Sequence, residues 1–122
     1  MEEQIYNSRD LRCKDPYGAV ASGTRVRLTL RPPRAMGYSR AKLSARFEFW
    51  GNEVVEQPMP WSGLEGDRDL FTCTLDTGDY VGLVWYTFTL ERIDGQKEKQ
   101  LGPFQLTVYD GSETVPSWFG EG

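Results

Sequence analysis

Apolar and polar residues alternate with period two through most of this chain. That is the pattern of strands with one face buried and one face in water. In "TRVRLTLR" (24–31), Val26, Leu28 and Leu30 share one face, and Arg25, Arg27, Thr29 and Arg31 share the other. "AKLSARFEFW" (41–50) turns Ala41, Leu43, Ala45, Phe47 and Phe49 inward, leaving Lys42, Ser44, Arg46, Glu48 and Trp50 outside. "LFTCTL" (70–75) buries Phe71, Cys73 and Leu75. "LVWYTFTL" (83–90) buries Val84, Tyr86, Phe88 and Leu90, with Trp85, Thr87 and Thr89 outside. "FQLTVY" (104–109) buries Phe104, Leu106 and Val108, with Tyr109 outside. Weaker strand signals lie near 4–8 and 53–57.

Turn chemistry separates these segments. Pro16–Gly18, Pro32-Pro33, Gly51-Asn52, Ser62–Gly66, Thr77–Gly78 and Gly102-Pro103 are each expected to interrupt pairing. Asp94-Gly95, between Ile93 and Gln96, is a two-residue hairpin signal. No helical period, internal repeat or low-complexity tract stands out. About seven short strands with regular turns predict an all-β fold: an immunoglobulin-like antiparallel β-sandwich over 1–109. Cys13 falls in a turn before the second strand, so the Cys pair around a core Trp of antibody domains is absent.

Composition narrows the chemistry. With 39% hydrophobic and 26% charged residues, the 122-residue chain is of ordinary globular make-up and sized for one domain. No apolar run is long enough to span a bilayer and no signal peptide opens the chain, so a cytoplasmic location without a membrane partner is expected. Cys13 and Cys73 lie far apart, and Cys73 alternates with Phe71 and Leu75, which predicts a buried free thiol. The chain has no His. That removes the commonest general base and the commonest neutral metal ligand, and excludes Ser–His and Cys–His nucleophile pairs. No phosphate-binding glycine motif occurs, and no cofactor is expected. Glu65, Asp67 and Asp69 alternate through "GLEGDRDL". The EF-hand spacing is not completed, so a solvated acidic loop is expected rather than a metal site. Acidic residues are plentiful, but none sits in a recognisable catalytic context, so no catalytic residue is assigned.

Charge is unevenly spread. Residues 9–46 carry a balance of +8 and residues 47–122 a balance of −10, within a net charge of −4. A basic half suggests a nucleic-acid patch through Arg25, Arg27 and Arg31. The acidic total favours the other reading, in which basic and acidic strands become neighbours and pair on the surface, with no nucleic-acid partner.

Three stretches carry a resemblance. "NSRDLRCKDPYGAVASGTRVRLTLR" (7–31), "GLVWYTFTL" (82–90) and "FQLTVYDGSETVPSWFGEG" (104–122) follow in order across nearly the whole chain. Together they resemble the N-terminal domain of neopullulanase-like and cyclomaltodextrinase-like enzymes of the α-amylase superfamily, glycoside hydrolase family 13. Tyr6 departs from the pattern, since relatives often carry His there. The resemblance implies that 110–122 is a linker toward a catalytic barrel, with Trp118 and Phe119 packing at the junction. It also implies that the acid/base and nucleophile carboxylates lie in that barrel. The chain would then be a non-catalytic accessory domain of an enzyme that cleaves α-1,4-glucosidic bonds, in contact with a barrel of the same or a partner chain. The alternative is an autonomous module binding α-glucans such as starch or maltodextrin.

Placing 83–90 between 41–50 and 104–109, as in the three-stranded sheet of an immunoglobulin-like sandwich, makes a further prediction. Trp50, Trp85 and Tyr109 all have outward phase near one end of that sheet. They are expected to form an aromatic cluster on one corner, near where the chain leaves toward Trp118. Trp50, Trp85, Tyr109, Trp118 and Phe119 are the candidate carbohydrate or domain-interface residues.

Overall fold

A computed structural model describes residues 5–16, 18–92 and 98–110. Two sheets pack face to face. The first has the strand order β1 (Lys14–Asp15), β3 (Arg25–Leu30), β7 (Arg68–Asp76), β6 (Trp61–Glu65). The second has the order β2 (Val20–Ala21), β9 (Glu98–Tyr109), β8 (Gly82–Arg92), β4 (Tyr38–Phe47), β5 (Glu53–Pro58). Seven strands are five residues or longer, and β1 and β2 have two residues each. The first leg of the chain divides between the sheets. β1 runs antiparallel to β3, and β2 then crosses over to run parallel to β9. The order β1-β3-β7-β6 against β9-β8-β4 is that of an immunoglobulin sandwich, with β5 added at the edge of the second sheet. As the immunoglobulin-like arrangement predicted, β8 lies between β4 and β9.

The core forms where the two inward faces meet. Val26, Leu28, Leu30, Phe71 and Leu75 oppose Leu43, Ala45, Phe47, Val84, Tyr86, Phe88, Leu90, Leu106 and Val108, all buried. Burying each of the larger aliphatic or aromatic side chains contributes about 1.5–3 kcal/mol. Size is matched across the ladder. Ala41 and Ala45 of β4 stand opposite Leu90 and Tyr86 of β8, so small residues make room for large ones. Tyr6 fills the remaining space, with its ring 4.7 Å from Phe88 and 4.8 Å from Phe104. Its hydroxyl lies 2.7 Å from that of Tyr86, giving both phenols a partner in the core.

Several local expectations change. Residues 5–8 form no strand, although Ile5 and Tyr6 are buried and the Arg31 N–H donates to the Ile5 carbonyl. The stretch Ser62–Gly66 is not a plain turn, because β6 occupies most of it. Gly102-Pro103 does not end a strand. β9 continues through it, and the register slips between Tyr86 and Phe88 as in a bulge. β8 and β9 form the expected antiparallel hairpin, whose Asp94-Gly95 turn lies outside the described residues. Cys13 and Cys73 are free thiols; Cys13 is buried but Cys73 only partly so, as is Phe104. Among the described residues no helix is long and apolar enough to cross a membrane.

Candidate functional site

The predicted Trp50–Trp85–Tyr109 cluster does not assemble, because β4 ends at Phe47. Beyond it the Trp50 N–H donates to the Phe47 carbonyl and the Glu53 N–H to the Trp50 carbonyl. These are successive tight turns. Gly51 and Asn52 supply the positive φ values, 66° and 59°, that such a reversal needs. The alternation that placed Phe49 inward and Trp50 outward therefore stops before either residue. Phe49 is 64% exposed. Trp50 wraps around the end of the sandwich, stacked on Phe47 at 5.6 Å and edge-on to Tyr80 at 5.0 Å.

Trp85 keeps its outward phase and is half-buried. Its indole N–H donates to Glu48 Oε1 at 3.2 Å, and the Arg46 guanidinium lies 6.0 Å from its ring centre. Register places Trp85 opposite Gln105, while Tyr109 pairs with Ala21. Tyr109 thus sits on the same face as Trp85, but four residues along β9 from Gln105, about 13 Å at ordinary strand rise. Trp118 and Phe119 lie outside the described residues.

A different apolar corner takes the predicted cluster's place. Tyr80 is fully buried, and its hydroxyl accepts from the Phe49 N–H at 3.0 Å and donates to the Leu83 carbonyl. This fixes Phe49 over Gly82, where an added Cβ would lie 2.2 Å from the Phe49 ring. Phe49, Trp50 and Val81 surround Tyr80 and are all exposed. Gly82 pairs with Val108, so this corner adjoins the end of β9.

A second aromatic feature was invisible to the alternation. Trp61 opens β6 and is 54% exposed. Its indole N–H donates to Asp69 Oδ1 at 2.9 Å, and Arg34 Nη1 meets the same oxygen at 3.3 Å. Asp69 is buried rather than part of a solvated loop. Arg34, Tyr38, Ser39, Trp61, Asp69 and Phe71 line a groove of about 420 Å³. The only sequence signal here was the acidic run 65–69, which identified Asp69 for another reason.

The arginine stripe is largely paired. Arg25 meets Asp76 at 3.7 Å, Arg27 meets Asp15 at 3.5 Å, and Arg31 pairs with Glu65. Lys42 and Glu56 are 3.9 Å apart. The basic and acidic parts of the chain thus become neighbours on the sandwich surface. Each exposed pair adds little stability, but together they cancel the local field. No cluster of three or more His, Cys, Asp or Glu suited to a metal occurs among the described residues.

No protein-family model matches this chain, and no curated protein matches it.

Proposed function

We propose that this chain is a non-catalytic accessory domain of a cytoplasmic α-glucan-acting glycoside hydrolase. It seats against a catalytic barrel, of its own or a partner chain, through the corner formed by Phe49, Trp50 and Val81. One observation carries this reading: three large apolar side chains stand exposed together around a buried Tyr80, beside the end of β9. Grouped apolar exposure of this kind marks interfaces. The corner is braced from beneath by the Tyr80 hydrogen bonds, so little ordering is needed for contact. A non-catalytic role is supported by the state of the carboxylates that line two surface grooves. Asp69 is held by Trp61 and Arg34, and Glu65 by Arg31.

Two measurements test the reading. Purified chain incubated with maltoheptaose, a cyclodextrin or pullulan should release no reducing sugar; release would overturn the division of labour. Added to an isolated neopullulanase-type barrel, the chain should bind saturably, and Trp50→Ala should weaken that binding roughly tenfold, as loss of an aromatic anchor does. Equal binding by wild type and Trp50→Ala would remove the corner from the interface.

A further inference from the structure

We propose that β5 is a docking edge for an extended, basic segment of another protein, which joins the second sheet as a further antiparallel strand. The outermost strands of the two sheets are β1 and β6 in the first, β2 and β5 in the second. An open strand edge is a template for pairing, and most proteins blunt it. β1 and β2 are blunted by length, with two residues each. β6 is broken at Gly63, where its register with β7 slips. β5 differs: it runs six residues, and its pairs with β4 follow one another without a slip.

Half of the β5 backbone is left open. The Met59 N–H donates to the Ala41 carbonyl, so Ala41 bonds toward the β5 side of β4. Just past β4, the Glu48 N–H donates to the Leu83 carbonyl on the β8 side. Bonding alternates along an antiparallel ladder, and both contacts give the same phase. Ala41, Leu43, Ala45 and Phe47 bond to β5, while Lys42, Ser44 and Arg46 bond to β8. On β5, Val55 and Gln57 therefore turn their N–H and carbonyl groups to β4, and Val54 and Glu56 turn theirs to the free edge. Pro58 shares the outward phase, where its missing N–H costs no bond to β4. The Gln57 side chain donates to the Thr74 carbonyl of β7 at 2.8 Å and ties this edge to the opposite sheet. The edge is thus in place before a partner arrives.

Side chains define that partner. Val54 and Val55 are 53% and 41% exposed, with exposed Glu53 and Glu56 on either side. Among the described residues no cation pairs with Glu53, and Glu56 has only Lys42, 3.9 Å away. β5 itself carries no Lys or Arg. A second copy of β5 would match the valines but would put Glu53 and Glu56 of both copies on one ribbon with no added cation. A strand with Lys or Arg opposite Glu53 and Glu56, and β-branched residues opposite Val54 and Val55, gains from both kinds of cross-strand pair. In such additions main-chain bonds give affinity and the side chains give specificity.

The test uses the 122-residue chain, the end-blocked peptide Thr-Thr-Lys-Val-Val-Lys-Thr, and a control peptide with Glu in place of both Lys. In antiparallel register the Lys residues stand opposite Glu56 and Glu53. The basic peptide should shift the backbone amide NMR signals of Val54 and Glu56 saturably and slow their exchange with solvent. Exchange at Val55 and Gln57, already bonded to β4, should change little. The acidic peptide should bind about tenfold more weakly, because attractive cross-strand pairs become repulsive. Glu56→Pro removes an outward N–H and no bond to β4, so it should fold and lose the peptide. Glu56→Lys keeps that N–H whether or not the proline variant folds, and it should bind the basic peptide roughly fivefold more weakly than wild type does. No barrel is present, so the result is independent of the corner at Phe49, Trp50 and Val81. The proposal is overturned if the basic peptide leaves the Val54 and Glu56 amides unchanged or if the two peptides bind alike. It is also overturned if the chain alone dimerises with those amides already slowed, since the occupant is then a second copy.

Discussion

The Tyr80 hydroxyl ties the turn after β4 to the start of β8, accepting from the Phe49 N–H at 3.0 Å and donating to the Leu83 carbonyl. Tyr80 is fully buried, and its ring packs edge-on against Phe47 at 4.9 Å and Trp50 at 5.0 Å. Replacing it by Phe keeps the ring contacts and deletes both hydrogen bonds. Tyr80→Phe should therefore cost about 1–3 kcal/mol, since it leaves the Phe49 N–H without its partner. Urea unfolding should show a lower midpoint with an unchanged slope. An unchanged midpoint would mean that the hydroxyl does not hold the corner.

Gly82 tests the same corner from the other side. Its φ of 138° and the 2.2 Å approach of the Phe49 ring leave no place for a Cβ. Gly82→Ala should destabilise by about 1–3 kcal/mol, through backbone strain and displacement of the ring. Truncating Phe49 removes the ring clash but not the backbone strain. The double variant Gly82→Ala/Phe49→Ala should thus be more stable than the sum of the single losses, a coupling that a double-mutant cycle reads directly. Strict additivity would place the Phe49 ring elsewhere in solution.

How much of this was legible in the sequence depended on whether a segment carried a period. The sequences of β3, β4 as far as Phe47, and β8 alternate because one face of each meets the opposite sheet, although Thr29 and Thr89, expected outside, are buried as well. The place of β8 between β4 and β9 followed from the immunoglobulin-like arrangement that the count and spacing of the strands suggested. β6 left no such trace. It is an edge strand with no buried residue, and Gly63 interrupts it, so only Ser, Gly and acidic turn signals were apparent. Phe49 and Trp50 continued the alternation past the point where the backbone turned, because period two does not report where a strand stops. The Trp61 groove joins residues from two sheets, and no local pattern ties Arg34 to Trp61 or Asp69.

Lys14 predicts an unusual pH response. It faces inward opposite Leu28, is only 3% exposed, and its Nζ donates to the Gly18 carbonyl at 2.8 Å. Burial pulls its ammonium group down to about 8 from the ordinary 10.5. The unfolded chain therefore holds this proton to higher pH than the folded chain does. Stability should rise with pH between those two values, the direction set by the larger proton count of the unfolded state. Lys14→Met should remove that rise. Urea midpoints measured across this window check the sign, and a fall in both proteins would contradict it.

The Tyr6–Tyr86 pair sets the opposite trend at still higher pH. Burial pushes the Tyr86 phenol up to about 12, against an ordinary value of 10.0. Tyr6 is raised in the same direction, by burial first and then by its neighbour Tyr86. Both phenols are almost wholly neutral in either state until the pH comes within about one unit of that ordinary value, so they add no pH dependence below that. Above it the unfolded chain ionises first, and stability should fall as pH climbs toward 12. Ultraviolet absorbance should show these two tyrosines titrating only with unfolding. Tyr6→Phe should make the alkaline fall shallower, because one raised phenol is gone.

Trp50 and Trp85 should differ both in stability and in barrel contact. Trp85 sits on the outer face of the sheet, and its polar contacts are the bond to Glu48 and the approach of Arg46. Contacts of that kind on a half-exposed face contribute about 1 kcal/mol or less. Trp50 is more exposed by area, yet its ring stacks on buried Phe47 and meets buried Tyr80. Removing it uncovers the end of the core. Trp50→Ala should cost about 2–3 kcal/mol, near the low end for loss of a large aromatic, because half the ring is already in water. Urea unfolding of the two variants side by side should therefore rank Trp50→Ala as the less stable. Conservative Trp50→Phe retains a ring against Tyr80 and should recover most of the stability. If the corner is the barrel contact, the smaller ring should still bind less tightly than Trp50, whereas Trp85→Ala should bind as wild type does. The reverse ranking, with Trp85→Ala the more damaging in both assays, would move the interface to the outer face of the sheet.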